Sequence, residues 1–352
     1  MKKVFLITLV LLIHHCLFAQ NFGPDKDIKT SWKPEEIDDF LNKQASVTLG
    51  LADSVFKMHP PLTVEQEIRK MALVMIDNVL HEEKAAYRPA VQSFFHKRIE
   101  NAVEEIRTEK VEAGAVIWKL YNHTFIVKTP TIIIGFDITR GLRIVEGFTL
   151  SEELIKGLID VVDVLFISHI HDDHADSLVA EMFLAQNKPV ISPPDVYENL
   201  PIYNKIFHPE RKAHEIQEVY LPLKRYSLKF VNYPGHQKAT ILNNVYLVFS
   251  PEGMCFSHTG DQYYLEDFEW IDRVGDLYPV DVLMPNCWTA DPPRVDNGFR
   301  PRLIITGHEN EMGHAVIQRK PYWLNYERWF KNNSVPCIQI TWGEKFPYKK
   351  PK

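Results

Sequence analysis

The chain has 352 residues, 45% of them hydrophobic, and a formal net charge of −6. That length suffices for one large domain with an added element, or for two domains. The mildly acidic balance excludes a general electrostatic attraction for nucleic acid or anionic lipid.

Lys2 and Lys3 precede an apolar run, Val4 to Ile13, too short to span a bilayer. Leu17-Phe18-Ala19 places a small residue ahead of Gln20, so residues 1–19 read as a secretory signal peptide and the protein as periplasmic or secreted. Removing Lys2 and Lys3 takes the net charge from −6 to −8. His14-His15 before Cys16 argue against a lipobox. Nothing further along reads as a transmembrane segment. Export permits disulfides, but Cys255, Cys287 and Cys337 are widely spaced and form no CxxC, so no pairing is deducible and a cysteine zinc site is not expected.

Residues 20–112 read as a polar lead-in and then helices. Pro34-Glu35-Glu36 makes a first turn with acids near the positive end of the dipole, and Pro60-Pro61 breaks that helix. Thr63 to Gln66 restarts the pattern, with Met71, Leu73, Ile76 and Leu80 at helical spacing, followed by Phe94, Phe95, Ile99, Val103 and Ile106. This predicts a helical packing appendage, with a lid or an oligomer contact as the alternative.

From residue 113 onward the period shortens. Strands are predicted at Ala115–Tyr121, Thr124–Lys128 and Thr131–Phe136, the last ending at Asp137, then a helix over Ser151–Leu158. A buried strand, Val161–Ile167, runs into Ser168-His169-Ile170-His171-Asp172-Asp173-His174-Ala175-Asp176, and a helix follows to Gln186. Later strands end at Pro234-Gly235-His236, at His258-Thr259-Gly260-Asp261 and at Gly307-His308. Pro292-Pro293 reads as a loop and the basic tail, Lys345–Lys352, as a solvated end.

Three imidazoles within six residues, flanked by carboxylates, sit where a strand ends, the place where α/β sheets present ligands. Imidazole and carboxylate are the donor set of zinc and similar divalent ions, and burying them unpaired is costly. Four strand ends carrying such residues make a stronger signal than one.

His169-Ile170-His171-Asp172-Asp173-His174 resembles the HxHxDH signature of the metallo-β-lactamase superfamily, and His236, Asp261 and His308 resemble its remaining ligands in order. The similarity extends over roughly Gly114 to Thr341 and is greatest to the branch with ascorbate-phosphate lactonases and N-acyl-phosphatidylethanolamine phospholipase D. It implies an α/β (α+β) fold, a four-layer αββα sandwich, with two divalent metal ions: zinc, with manganese or iron as alternatives. One ion would take His169, His171 and His236, the other Asp173, His174 and His308, with Asp261 bridging. A metal-bridging hydroxide would then attack an ester, lactone or phosphodiester bond of a small-molecule or lipid-like substrate. Asp173 is the candidate proton acceptor and His258 the candidate proton donor. Asp137 and Asp176 are candidates for orienting imidazoles, and Asn310 and His314 for touching substrate. His123 reads as structural. The competing expectation is a non-catalytic, metal-stabilised binding or sensor protein.

Overall fold

The computed structural model describes residues 32–64, 66–331 and 335–351. The expected signal peptide lies outside them. Among the described residues, 32–44 belong to one unit and those from Ala45 onward to a second. In the first, Trp32 meets Phe40 edge-on with ring centroids 5.2 Å apart. Helix α1 (Pro34–Met58) crosses the division between the units.

The second unit is layered. Its helices α2 (Glu67–Leu80), α3 (Pro89–Thr108), α4 (Glu152–Ile159) and α5 (Ser177–Ala185) accompany a six-stranded sheet. That sheet comprises β1 (Ala115–Lys119), β2 (Phe125–Lys128), β3 (Ile133–Phe136), β4 (Val164–Phe166), β5 (Val190–Ile191) and, on its outer edge, β13 (Glu344–Tyr348), in the order β13-β1-β2-β3-β4-β5. The second sheet has seven strands: β6 (Ile216–Leu221), β7 (Tyr226–Lys238), β8 (Ile241–Phe249), β9 (Cys255–His258), β10 (Val282–Met284), β11 (Leu303–Ile305) and β12 (Cys337–Ile338), paired in order of sequence. Helix α6 (Pro292–Phe299) belongs to its far side.

Side-chain alternation along the strands builds three cores. In β1, Val116 and Trp118 join the helices while Ala115 and Ile117 face the other sheet. In β8, Tyr246 and Val248 enter the inter-sheet core and Val245 and Leu247 pack with Phe268, Val295 and Phe299. Strands buried on both faces explain why the sequence shows unbroken apolar runs. Three cores between four layers is the expected αββα sandwich.

The N-terminal helices pack on the first sheet: Leu49, Leu73, Ile76, Phe95 and Ile99 share one core with Trp118, Ile126 and Trp342. Two expectations change. The tail is not simply solvated, because Glu344 to Tyr348 pair antiparallel with β1, Ala115 opposite Tyr348. Pro347 is tolerated because β13 is an edge strand. Pro292 opens a helix rather than a loop, with the Asp291 side chain accepting from Arg294 N as its N-cap. Cys255, Cys287 and Cys337 are free and buried.

Candidate metal centre

The parallel strands β3, β4, β9, β10 and β11 end on one rim, and each delivers polar residues there. Asp137 follows β3. Its Oδ1 accepts Ser168 N at 2.6 Å, and its Oδ2 accepts Ser168 Oγ at 2.6 Å and His174 Nδ1 at 2.7 Å. That fixes the tautomer of His174 and turns Nε2 outward, the usual carboxylate–imidazole support of a metal ligand. Ser168 Oγ, having given its proton to Asp137, accepts from His169 Nδ1 at 3.0 Å, so His169 Nε2 also keeps its lone pair.

Asp261 Oδ2 lies 3.5 Å from His169 Nε2, which is 3.0 Å from His171 Nδ1. Asp261 Oδ1 lies 3.3 Å from both His174 Nε2 and His308 Nε2, and Asp173 Oδ2 lies 3.3 and 3.2 Å from the same two nitrogens. Separations near 3.3 Å are the edges of a tetrahedron whose centre is ~2.0 Å from each corner, the zinc–nitrogen and zinc–oxygen distance. His174 Nε2, His308 Nε2 and Asp261 Oδ1 are buried with no hydrogen-bond partner. Two groups of donors therefore share one carboxylate: His169, His171 and Asp261, and Asp173, His174 and His308.

The charge balance suits cations. Burial, and then neighbouring His174, push His169 down to about 3, so it is neutral. Burial also pushes His308 down, but Asp261 and Asp173 overcome this and raise it to about 10. His174 is raised for the same reason, and Asp173 and Asp261 are held well below the usual carboxylate range by those histidines despite burial. The carboxylates demand positive charge, which divalent ions would supply on displacing the imidazole protons.

Among solved structures, the chain is similar to Igni18, a metallo hydrolase from the archaeon Ignicoccus hospitalis, at TM-score 0.51 and 18% identity over 68% of this chain and 100% of that one. The chain has the metallo-β-lactamase fold. Two further similar structures are isothiocyanate hydrolase from Delia radicum gut bacteria (TM-score 0.48, 10% identity, 66% of this chain and 99% of that one) and CmlA, a diiron β-hydroxylase from Streptomyces venezuelae (0.49, 12%, 69% and 55%). No family profile and no curated protein matches the sequence.

In this metallo-β-lactamase fold the turn at Gly260 needs glycine. Its φ is +51°, and a Cβ there would lie 2.3 Å from Asn243 Oδ1 and 2.4 Å from Ser168 Cβ. His236, at the end of β7, stands outside both compact groups. Asp267 accepts its Nδ1 and its backbone N, each at 2.9 Å, leaving Nε2 as the free ring nitrogen. Gln237, in the bulge between His236 and Lys238, donates to Asp261 Oδ2 at 2.8 Å.

Other expected residues are placed differently. His258 is fully buried: Nε2 meets His123 O at 3.0 Å, Nδ1 accepts Gly260 N at 3.2 Å, and the ring stacks on Phe136. Both nitrogens serve backbone groups, so it is a packing residue beneath the site and not a proton donor to substrate. Asp176 caps α5 and takes Arg140 Nε at 2.9 Å and Arg143 Nη1 at 3.0 Å. It orients no imidazole. Asn310 is buried against Asp77 and does not reach the cleft. His314 does: stacked 5.7 Å from His308, it lines a cavity of about 160 Å³ with Leu142, Arg143, Ile144, Asp173 and Glu311.

Sequence reasoning missed Asn122, Asn243 and Asp267. Asn122 donates to Asp173 Oδ2 at 3.1 Å, and Asn243 Oδ1 accepts Asp261 N at 2.9 Å. It also took His123 as merely structural. His123 is buried with neither ring nitrogen bonded, near both His174 and Asp261.

Proposed function

We propose that the chain is an exported metal-dependent hydrolase acting on uncharged esters or lactones. One observation carries the reading: Asp261 offers one oxygen to each of two donor groups, and in one of them His174 Nε2, His308 Nε2 and Asp261 Oδ1 itself are buried with no hydrogen-bond partner. Divalent ions held there, zinc being the best fit to the donor set, would lower the pKa of bound water to about 7 and polarise the substrate's acyl oxygen.

The protein residues divide the remaining work. Asp137 and Ser168 hold His174 and His169 with their lone pairs outward, and Asp267 does the same for His236, which would complete the His169/His171 group. Asp173, on the cleft wall and steadied by Asn122, is placed to accept the proton of the attacking water. Leu142 and Ile144 give the cleft an apolar wall, and His314 lies at its mouth.

The charge of the cleft favours an uncharged substrate. Arg143 is paired with Asp172 and Asp176, Arg140 with Asp176, and Arg294 with Asp272. Asp172 and Glu311 line the same cavity, so a phosphodiester would depend on the bound ions alone for its countercharge, whereas an uncharged ester needs none. The test is a hydrolysis screen of neutral aryl esters, lactones and phosphodiesters before and after exhaustive chelation. Ester or lactone turnover should vanish with the metal, return with zinc, and fall at least ~100-fold in His171→Ala. Turnover that survives chelation would sink the reading, and preferential phosphodiester cleavage would overturn the substrate class.

A further inference from the structure

The turn that carries His308 is tied down from outside the sheet. His308 and Asn310 have φ of +71° and +52°, left-handed backbone that side chains adopt at a cost. Such a turn keeps its shape only when its surroundings dictate it. Each of its residues has an anchor. His308 N donates to Asn122 O at 3.2 Å, Glu309 is fully buried against Lys119 and Asn325, and Glu311 accepts from Tyr121 OH at 2.8 Å. These anchors come from residues 119–122, at and just after the end of β1, and from Asn325.

Asn310 is anchored from elsewhere. Its Nδ2 donates to Oδ1 of Asp77, on α2, at 2.9 Å. The carboxylate acceptor settles which way the Asn310 amide points. The same Asp77 oxygen accepts Tyr322 N at 2.8 Å, and its other oxygen accepts Trp323 N at 2.9 Å. Asp77 is 6% exposed, and 233 residues separate it from Asn310. The end of α2 adds a further tie, because Arg319 donates to Leu80 O at 2.7 Å and to Met312 O at 3.3 Å. Burying a carboxylate carries a desolvation cost, and here that carboxylate converges on the segment that begins with His308.

We propose that Asp77 is a positioning residue for the Asp173/His174/His308 group: acting through Asn310, it sets where His308 Nε2 points and so how tightly that group holds its ion. A helix of the outer layer thereby becomes part of the metal centre. The proposal rests on reading that group as a metal seat, and its test separates the two.

Full-length apoprotein is titrated with cobalt(II), following visible absorption and calorimetric heat. The wild type should take up two equivalents. In Asp77→Ala and in Asn310→Ala one equivalent should bind ~10–100-fold more weakly while the other stays within about twofold. The double variant should be no worse than either single one. Asp77→Asn, which retains an oxygen for Asn310, should recover part of the loss. Arg69→Ala, which breaks the α2 ion pair to Glu344 at 3.0 Å, should lower thermal stability and leave both affinities unchanged. If Asp77→Ala does not fold, Asn310→Ala decides, since it leaves the bonds to Tyr322 and Trp323 intact. Two unchanged equivalents in Asn310→Ala would overturn the positioning role and spare the metal reading. A wild type that takes up no cobalt would overturn both.

Discussion

Asp137 receives three donors from two residues, Ser168 and His174, and it is fully buried. Burial raises its pKa, but His258, His174 and Ser168 outweigh that and keep it ionised. Replacing it by Ala frees the His174 ring to choose its tautomer, and metal affinity should fall ~10–100-fold by competition with a chromogenic chelator. A variant with unchanged affinity would show that packing alone holds His174. At this scale the sequence was informative where chemistry was concentrated. His169, His171, Asp173, His174, Asp261 and His308 follow strands directly, and their residue types have few other uses at such places. His258 has the same sequence context, but its ring turns inward onto Phe136. Nothing in the chain's order separates the two orientations. Asn122, Asn243, Asp267 and Asp77 carry no local signal, because each acts on a residue brought to it by another element.

At the scale of elements, propensity and period locate most strands, and composition misleads at one. Glu344-Lys345-Phe346-Pro347-Tyr348 reads as a charged tail, yet Phe346 and Tyr348 alternate into the inter-sheet core. Lys345 reaches back to Glu105 at 3.1 Å and Glu109 at 2.8 Å, keeping its charge paired at the surface. Phe346→Ala should therefore cost about 3–5 kcal/mol in a denaturant melt, as for a core phenylalanine. A loss under 1 kcal/mol would mean the strand is a loose addition. The helices before Gly114 are legible from the helical spacing of their apolar residues. Their second function, reaching the His308 turn, is invisible in a pattern that only reports which face is apolar.

For the whole molecule, pH acts through groups of opposite sense. Burial pushes Asp77 from 3.8 up to about 6, against its hydrogen bonds from Asn310, Trp323 and Tyr322. Its folded-state value lies above the unfolded one, so its contribution is full below about pH 4 and is lost as pH rises through about 6, amounting to about 3 kcal/mol. Asp137, Asp173 and Asp261 are held low and act the other way, losing their contribution as pH falls. The difference between wild-type and Asp77→Asn unfolding free energies isolates the first effect. That difference should change by about 3 kcal/mol between pH 4 and pH 7, and a flat difference would mean Asp77 titrates normally.

The pairing of β1 with β13 also bears on how the protein is made. Ala115 to Lys119 lie against Glu344 to Tyr348, partners separated by most of the second unit's sequence. A ribosome adding about 5–20 residues per second needs roughly ten to fifty seconds to go from one to the other. Throughout that interval the outer edge of β1 has no partner, and an unpaired edge invites pairing with other chains. The nascent protein should therefore depend on a holding chaperone, and its yield should rise when synthesis is coupled to one. The finished sheet has no such need once its last strand is in place.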